Sequence, residues 1–377
     1  MAELIPTLDA AFDGWIEAQR AAIETVRTAS DVPRSGTDNA EGYRWVTRLT
    51  SLAQEWFLEK SDPLHPEVFL LQDAHRKLLV DNPDVSYWFC VLDDRHLYRM
   101  TGRRGQAPYV GLTFGTPMAQ GPAGGRTGTT TQAHLDQFEL GPDGEIDVLI
   151  GPADLLPDPR PVNSVVLEPG TGQVAFRETF FDKRTERGCE LHIELVGDVA
   201  PPVLDVDDFA SKLETAGLFV QFVAATAVNM WHDTEPNTNT FGGTAGSVHV
   251  ASQEDETRSH SSEDMTYHGG RFVLGHGEAL VVTVHKPDRE FLYWGLTTAS
   301  PWMESYDYRY TTTNLNNRRA QANAEGDWVL VISPTDPGVP NWLDTGGRLE
   351  GYMLVRWVLA DDPPHPTAEV VRLADLS

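Results

Sequence analysis

The sequence predicts an α+β protein, mainly β, in which jelly-roll-like antiparallel β-sandwiches carry an N-terminal helical region and one long internal helix. Three observations lead there. Apolar residues recur at helical spacing in the first eighty positions, short β runs broken by turn residues follow, and a single heptad-like stripe occupies residues 206–230.

Phe12, Trp15, Ile16, Ile23 and Val26 define the first helix, and the polar stretch 31–39 with Pro33 and Gly36 ends it. A second helix is expected on Trp45, Val46, Leu49, Leu52, Ala53, Trp56 and Phe57, closed by Ser61-Asp62-Pro63, and a third over roughly 66–80. Residues 1–80 thus read as a helical cap or arm. A first β-sandwich domain is expected over 81–200, with runs at 87–92, 97–101, 109–114, 138–140, 146–150, 165–167, 173–181 and 191–196. Within it, Gly121 to Gly128 (GPAGGRTG) fits neither GxGxxG nor GxxxxGK[ST] and reads as a flexible connection.

Pro201-Pro202 breaks the β pattern, and Asp205, Asp207 and Asp208 open a long connecting helix over 201–235. Its stripe of Val206, Phe209, Leu213, Ala216, Val220, Val223, Ala227 and Met230 favours packing inside the molecule, with a homo-oligomeric helix pair as the alternative. The polar stretch 236–270 reads as an insertion or lid loop. A C-terminal β domain is expected over 271–377, with runs at 271–274, 279–285, 291–298, 328–332, 352–359 and 369–372, and Pro287-Asp288 as a hairpin turn.

The 377 residues hold 29 Lys+Arg against 56 Asp+Glu, a net charge of −27, which argues against nucleic acid and against an anionic membrane surface as partners. Cys90 and Cys189 are too few for a disulfide scaffold and read as two buried thiols. The N-terminus carries no basic segment followed by an apolar run, and no stretch of about eighteen apolar residues occurs, so a cytoplasmic protein is expected. HExxH, HxH, GxSxG, Rossmann and P-loop patterns are all missing, and the sequence names no cofactor and no metal. His260, His268 and His276, spaced by eight, read as solvated loop residues.

Chemistry concentrates in residues 291–357. Tyr293, Trp294, Trp302, Tyr306, Tyr308 and Tyr310 interleave with Glu304, Asp307 and Arg309, which suits an amphipathic or sugar-like ligand and equally suits a β-sandwich core. Asn314, Asn316, Asn317, Arg318 and Arg319 crowd hydrogen-bonding groups, and Arg318 or Arg319 could clamp a carboxylate of a neighbouring strand. The rigid loop 333–347 fixes Asp336, Asn341, Trp342 and Asp344, and Arg356 lies on an otherwise apolar strand. The reading is an enzyme or accessory protein acting on a small amphipathic metabolite in an aromatic, acid-lined cleft. Trp294, Trp302, Tyr308, Arg309, Asn314, Arg318, Asn341, Trp342 and Arg356 would bind, while Asp336 and Asp344, with His232, would do acid/base work. The alternative is a non-catalytic β-sandwich that binds a ligand or assembles with another chain.

The runs FLYWGLTTASPWMESYDYRYTTTNLNNRRAQ and SPTDPGVPNWLDTGGRLEGYMLVRW resemble the C-terminal signature of the bacterial domain-of-unknown-function family numbered twelve-fourteen. The stretch DNPDVSYWFCVLDDRHLYRMTGRRG is similar to the N-terminal part of its stand-alone members. The resemblance implies a β-sandwich of jelly-roll type and no reaction, cofactor or catalytic residue.

Overall fold

The structure, a computed structural model, describes residues 4–29, 32, 35–117, 128–242 and 264–376. Helix α1 (Leu4–Thr28) is followed by α2 (Gly36–Ala53), which a reciprocal Ser35/Asp38 capping box starts. The chain then widens into a π-helical turn, Gln54–Glu59, which turns the adjacent Trp56 and Phe57 both inward. Helix α3 (Val206–Asp233) is capped by Asp205, which accepts from the backbone N–H groups of Asp207 and Asp208. Its stripe Leu213, Ala216, Val220, Val223, Ala227 and Met230 is buried within the molecule, against α1 and α2. Gly217 lets α3 come close to Ala18 of α1. The intramolecular packing expected of the heptad stripe is what forms. Val220 in particular has no exposed surface.

The third expected helix does not form. The segment contains strand β1 (Phe69–Gln72), where burial alternates with a period of two, and Leu79 and Val80 take left-handed φ angles of 55° and 56° that no α-helix admits. The β strands that follow are β2 (Val85–Val91), β3 (Tyr98–Arg103), β4 (Tyr109–Gly115), β5 (Thr129–His134), β6 (Glu145–Gly151), β7 (Ser164–Val166), β8 (Gln173–Thr179) and β9 (Glu190–Leu195). After α3 come β10 (Met265–Val273), β11 (Glu278–Val284), β12 (Tyr293–Ala299), β13 (Asn314–Asn316), β14 (Trp328–Ser333), β15 (Trp342–Asp344), β16 (Glu350–Val358) and β17 (Thr367–Arg372).

Strands β2–β9 and β10–β17 build one eight-stranded unit twice, and β1 is added at the edge of the first. In the N-terminal sandwich an inner sheet, β1-β2-β8-β4-β5, faces an outer sheet, β7-β6-β3-β9; in the C-terminal one β10-β16-β12-β13 faces β15-β14-β11-β17. The first, seventh, third and fourth strands of each unit pair in the inner sheet, and the sixth, fifth, second and eighth in the outer. Among the described strands only the fifth–sixth pair, β6 with β7 and β14 with β15, is parallel in either unit. Each sandwich has its own apolar core, around Tyr98, Phe114 and Phe176 in the first and Phe272, Trp294 and Trp357 in the second. The remaining faces of the two inner sheets meet at a seam, and α1–α3 cover the rest of those faces through Trp56, Phe89, Trp302 and Tyr352. The fold is α+β, mainly β.

Three local expectations are corrected. The run 138–140 is not a strand; the Thr-rich segment β5 pairs with β4 instead, its few apolar residues having hidden it. Pro287-Asp288 is not a hairpin turn, because β11 and β12 belong to different sheets and the segment carries the chain between them. The expected insertion 236–270 ends in strand, since β10 begins at Met265 and pairs with β16 along its whole length. Residues 243–263, with His260, and most of the 121–128 glycine run lie outside the described residues.

Candidate functional site

The seam is where polar and charged side chains are buried together. On β8, Arg177 lies between Tyr87 of β2 and Gly111 of β4; on β16, Arg356 lies between Tyr267 of β10 and Gly295 of β12. The two settings correspond residue for residue under a pseudo-twofold relation. Tyr109 folds its ring over Gly111 and Tyr293 folds over Gly295, so a Cβ at either glycine would meet a tyrosine hydroxyl. Arg177 donates to Thr113 Oγ1 at 2.9 Å and Arg356 to Thr297 Oγ1 at 3.5 Å.

Each tyrosine reaches across the seam. Tyr293 donates to Asp84 Oδ2 at 3.0 Å, and Tyr109 donates to Asp264 Oδ2 at 2.8 Å, the aspartates being the residues just before β2 and β10. Asp84 also accepts from Asn316 Nδ2 at 2.8 Å and from Arg319, at 2.8 and 3.0 Å to its two oxygens. Burial pushes the Asp84 carboxyl up from its ordinary range, and the Arg319 guanidinium opposes that shift. At the corresponding place Asp264 meets His134 Nε2 at 3.1 Å.

Between these sets lies a small cleft with room for one or two water-sized groups, walled by Tyr87, Arg177 and Thr179 on one side and Tyr267, Tyr293 and Arg356 on the other. Arg356 is 7% exposed. Among the described residues its partners are the Val80 carbonyl, Thr297 Oγ1 and the Tyr267 ring, 5.9 Å away, and none is a carboxylate. A second, more open cleft shares Asn82, Val85 and Tyr87 with the first and adds Gln72, Asp73, Asp81, Lys183 and Tyr308.

A solved structure shares this whole architecture. The crystal structure of an uncharacterised protein from Burkholderia cenocepacia is 28% identical to this chain, with a TM-score of 0.89 and 99% of each chain covered. A crystal structure of a Vibrio parahaemolyticus protein, 12% identical with a TM-score of 0.51, covers 93% of this chain and 100% of its own, and shows the fold alone. Neither description names an activity. No family model and no curated protein matches the chain.

The residues singled out in the sequence scatter. Trp294 is fully buried inside the C-terminal sandwich against Trp328 and Trp357, and Trp302 lies beneath α2, stacked on Trp45 with its indole N–H on the Asp38 carbonyl at 2.8 Å. Both are core, because interior positions of a sandwich take large aromatics. Asp336 and Asp344 close Asx turns, accepting from the backbone N–H of Gly338 at 2.8 Å and Gly346 at 2.7 Å, and neither borders a cleft. Asn341, at a left-handed φ of 61°, ties its loop to Gln321 and Val329, and Trp342 donates to the Ser333 carbonyl at 3.1 Å. The 333–347 loop is thus satisfied internally. His232 is exposed on the last turn of α3, Arg309 pairs with Asp307, and Arg318 stacks on the Phe181 ring at 4.9 Å.

Three of the residues do reach the seam. Arg356 and Tyr308 line the two clefts, and Asn314 donates to Asn82 and Thr297 and accepts from Arg319. The carboxylate clamp expected of Arg318 or Arg319 exists, made by Arg319 on Asp84. Sequence reasoning missed Arg177, Tyr87, Tyr109, Asp84 and Asp264. The signal was available in Tyr109-Val-Gly-Leu-Thr and Tyr293-Trp-Gly-Leu-Thr, one Y-x-G-L-T pattern written on the same strand of each unit.

Proposed function

We propose that this protein binds a small molecule through an anionic group, a carboxylate or an ion of similar size, held by Arg356 in the cleft between the two sandwiches. One observation carries the reading: Arg356 is a buried guanidinium with no carboxylate partner among the described residues. Burying an uncompensated cation costs several kcal/mol, and an entering anion would recover much of that cost. Arg177 across the seam adds a second cation, while Tyr87, Tyr267 and Tyr293 supply apolar walls with hydroxyl edges. The binding reading is favoured over catalysis by acid and base because Asp336, Asp344 and His232 do not border either cleft.

Thermal unfolding in formate, acetate and nitrate tests it. The wild type is expected to gain stability as each anion is raised at constant ionic strength, and Arg356→Met, a side chain of similar length without charge, is expected to lose that gain. Arg177→Met serves as a second variant and is expected to weaken it. An unchanged anion response in Arg356→Met would overturn the assignment.

We also propose that the chain belongs with the twelve-fourteen domain family. The support is the pair of runs quoted above, which fall in the C-terminal sandwich. The free, buried thiols of Cys90 and Cys189 support a cytoplasmic location.

A further inference from the structure

The cleft between the sandwiches is bordered by hydrogen-bond donors that the protein leaves unspent. Thr179 has no exposed surface, and its Oγ1 has no hydrogen-bond partner among the described residues. Tyr87 accepts from the Asn82 backbone N–H at 3.2 Å, and its own proton goes to no acceptor among the described residues. The Tyr267 hydroxyl donates to Met265 Sδ at 3.2 Å, and a thioether is a weak acceptor. Arg356 gives only two of the five N–H groups of a guanidinium to protein oxygens, the Val80 carbonyl and Thr297 Oγ1, among the described residues. All four residues line the cleft. The acceptors on its wall are taken: Asn82 Oδ1 receives the Asp84 N–H at 3.0 Å and Asn314 Nδ2 at 3.2 Å, and the Tyr293 hydroxyl receives Asn82 Nδ2 at 3.0 Å.

We propose that the ion this cleft takes is a halide, chloride or bromide, which accepts hydrogen bonds from both sandwiches and ties one to the other. The proposal rests on the anion reading and narrows it to one class of ion. An excess of donors over acceptors repels a cation and leaves the two protons of a water without partners. The room available, one or two water-sized groups, suits a single atom, whereas a carboxylate must also place its carbon and whatever the carbon carries. Thr179 and Tyr87 belong to the N-terminal sandwich and Tyr267 and Arg356 to the C-terminal one, so the donors come from opposite walls. A sphere accepts from any direction, while a carboxylate accepts near its own plane. Val85, Met265 and Val358 make the rest of the lining apolar. The pseudo-twofold relation also singles out Thr179. It follows Arg177 by two positions on β8, and the residue that follows Arg356 by two on β16 is Val358, so the hydroxyl is present in one unit and absent from the other.

Thermal unfolding of the full chain, with sodium chloride, bromide or formate replacing gluconate at constant ionic strength, reads the apparent Kd of each ion. The response is taken as the difference between wild type and Arg356→Met, which cancels effects of the salts on water. Chloride and bromide are expected to act at lower concentrations than formate. Thr179→Val keeps the shape and removes the hydroxyl, and it is expected to raise the apparent Kd for chloride roughly tenfold, the scale of one hydrogen bond to a charged group. Formate acting as well as chloride, with both responses lost in Arg356→Met, would overturn the halide assignment and leave the anion reading standing; no response to any of the three would remove both. An unchanged chloride response in Thr179→Val would also overturn the assignment. Should that variant not fold, wild-type crystals grown in bromide decide: an anomalous peak between Arg356 and Thr179 is expected, and a cleft without one would overturn the proposal.

Discussion

The two sandwiches follow the same path through eight strands, yet they keep their seam aspartates differently. Asp84 is enclosed, its side chain 6% exposed, and holds Arg319, Asn316 and Tyr293 together. Asp264 is 19% exposed and meets Tyr109 and His134. A second contrast lies inside the sandwiches. Trp88 of β2 donates to Glu178 at 2.6 Å, whereas its counterpart on β10, His268, stands edge-on to His365 at 4.8 Å with neither ring nitrogen hydrogen-bonded among the described residues. The architecture tolerates divergence at equivalent points provided that each seam aspartate keeps a tyrosine of the opposite unit.

The sharpest break of this comparison is a pair of alanine substitutions. Asp84→Ala removes an acceptor shared by a guanidinium, an amide and a hydroxyl and is expected to cost about 3–5 kcal/mol in urea unfolding. Asp264→Ala, in a more solvated setting, is expected to cost about 1–2 kcal/mol. Equal losses would show the two aspartates to be equivalent. The interior contrast is a pH experiment. Burial pushes the His268 imidazole down to about 4, below its ordinary value of 6.5. Between those values the unfolded chain binds a proton that the folded chain does not, so stability falls as pH drops from 6.5 toward 4. The loss on going from pH 7 to pH 5 is expected to reach about 2 kcal/mol, and His268→Phe should flatten it. The smallest effect belongs to the rigid loop: Asp336→Asn and Asp344→Asn keep their Asx turns and should each change stability by less than about 0.5 kcal/mol with anion response intact.

What the sequence made legible follows from what local spacing encodes. The stripe on α3 and the alternation in most strands are local, and they placed the helix and both sandwiches. The strand β13, Asn-Leu-Asn, has too little apolar content to be read alone, and it pairs with β12 because Gly295 and Thr297 lie opposite. The seam was illegible for a different reason. Arg356 in MLVRWVL stands out as a charge on an apolar strand, but Arg177 in VAFRETF looks like an ordinary strand residue, and only the topology brings the two to one cleft. The aromatic density of 291–310 pointed elsewhere, because a tryptophan that fills a core and one that grips a ligand have the same spacing.

The crossed tyrosines bear on how such a chain could have arisen. Tyr109 and Tyr293 each satisfy their hydroxyl on an aspartate of the opposite unit. A single eight-stranded unit would therefore carry one donor and one acceptor that only another unit can meet, and two identical copies would meet them reciprocally about a twofold axis. The fused chain has the organisation of a homodimer made permanent. In one chain the two copies of each residue can differ, as they do at the seam aspartates, one of which meets an arginine and the other a histidine.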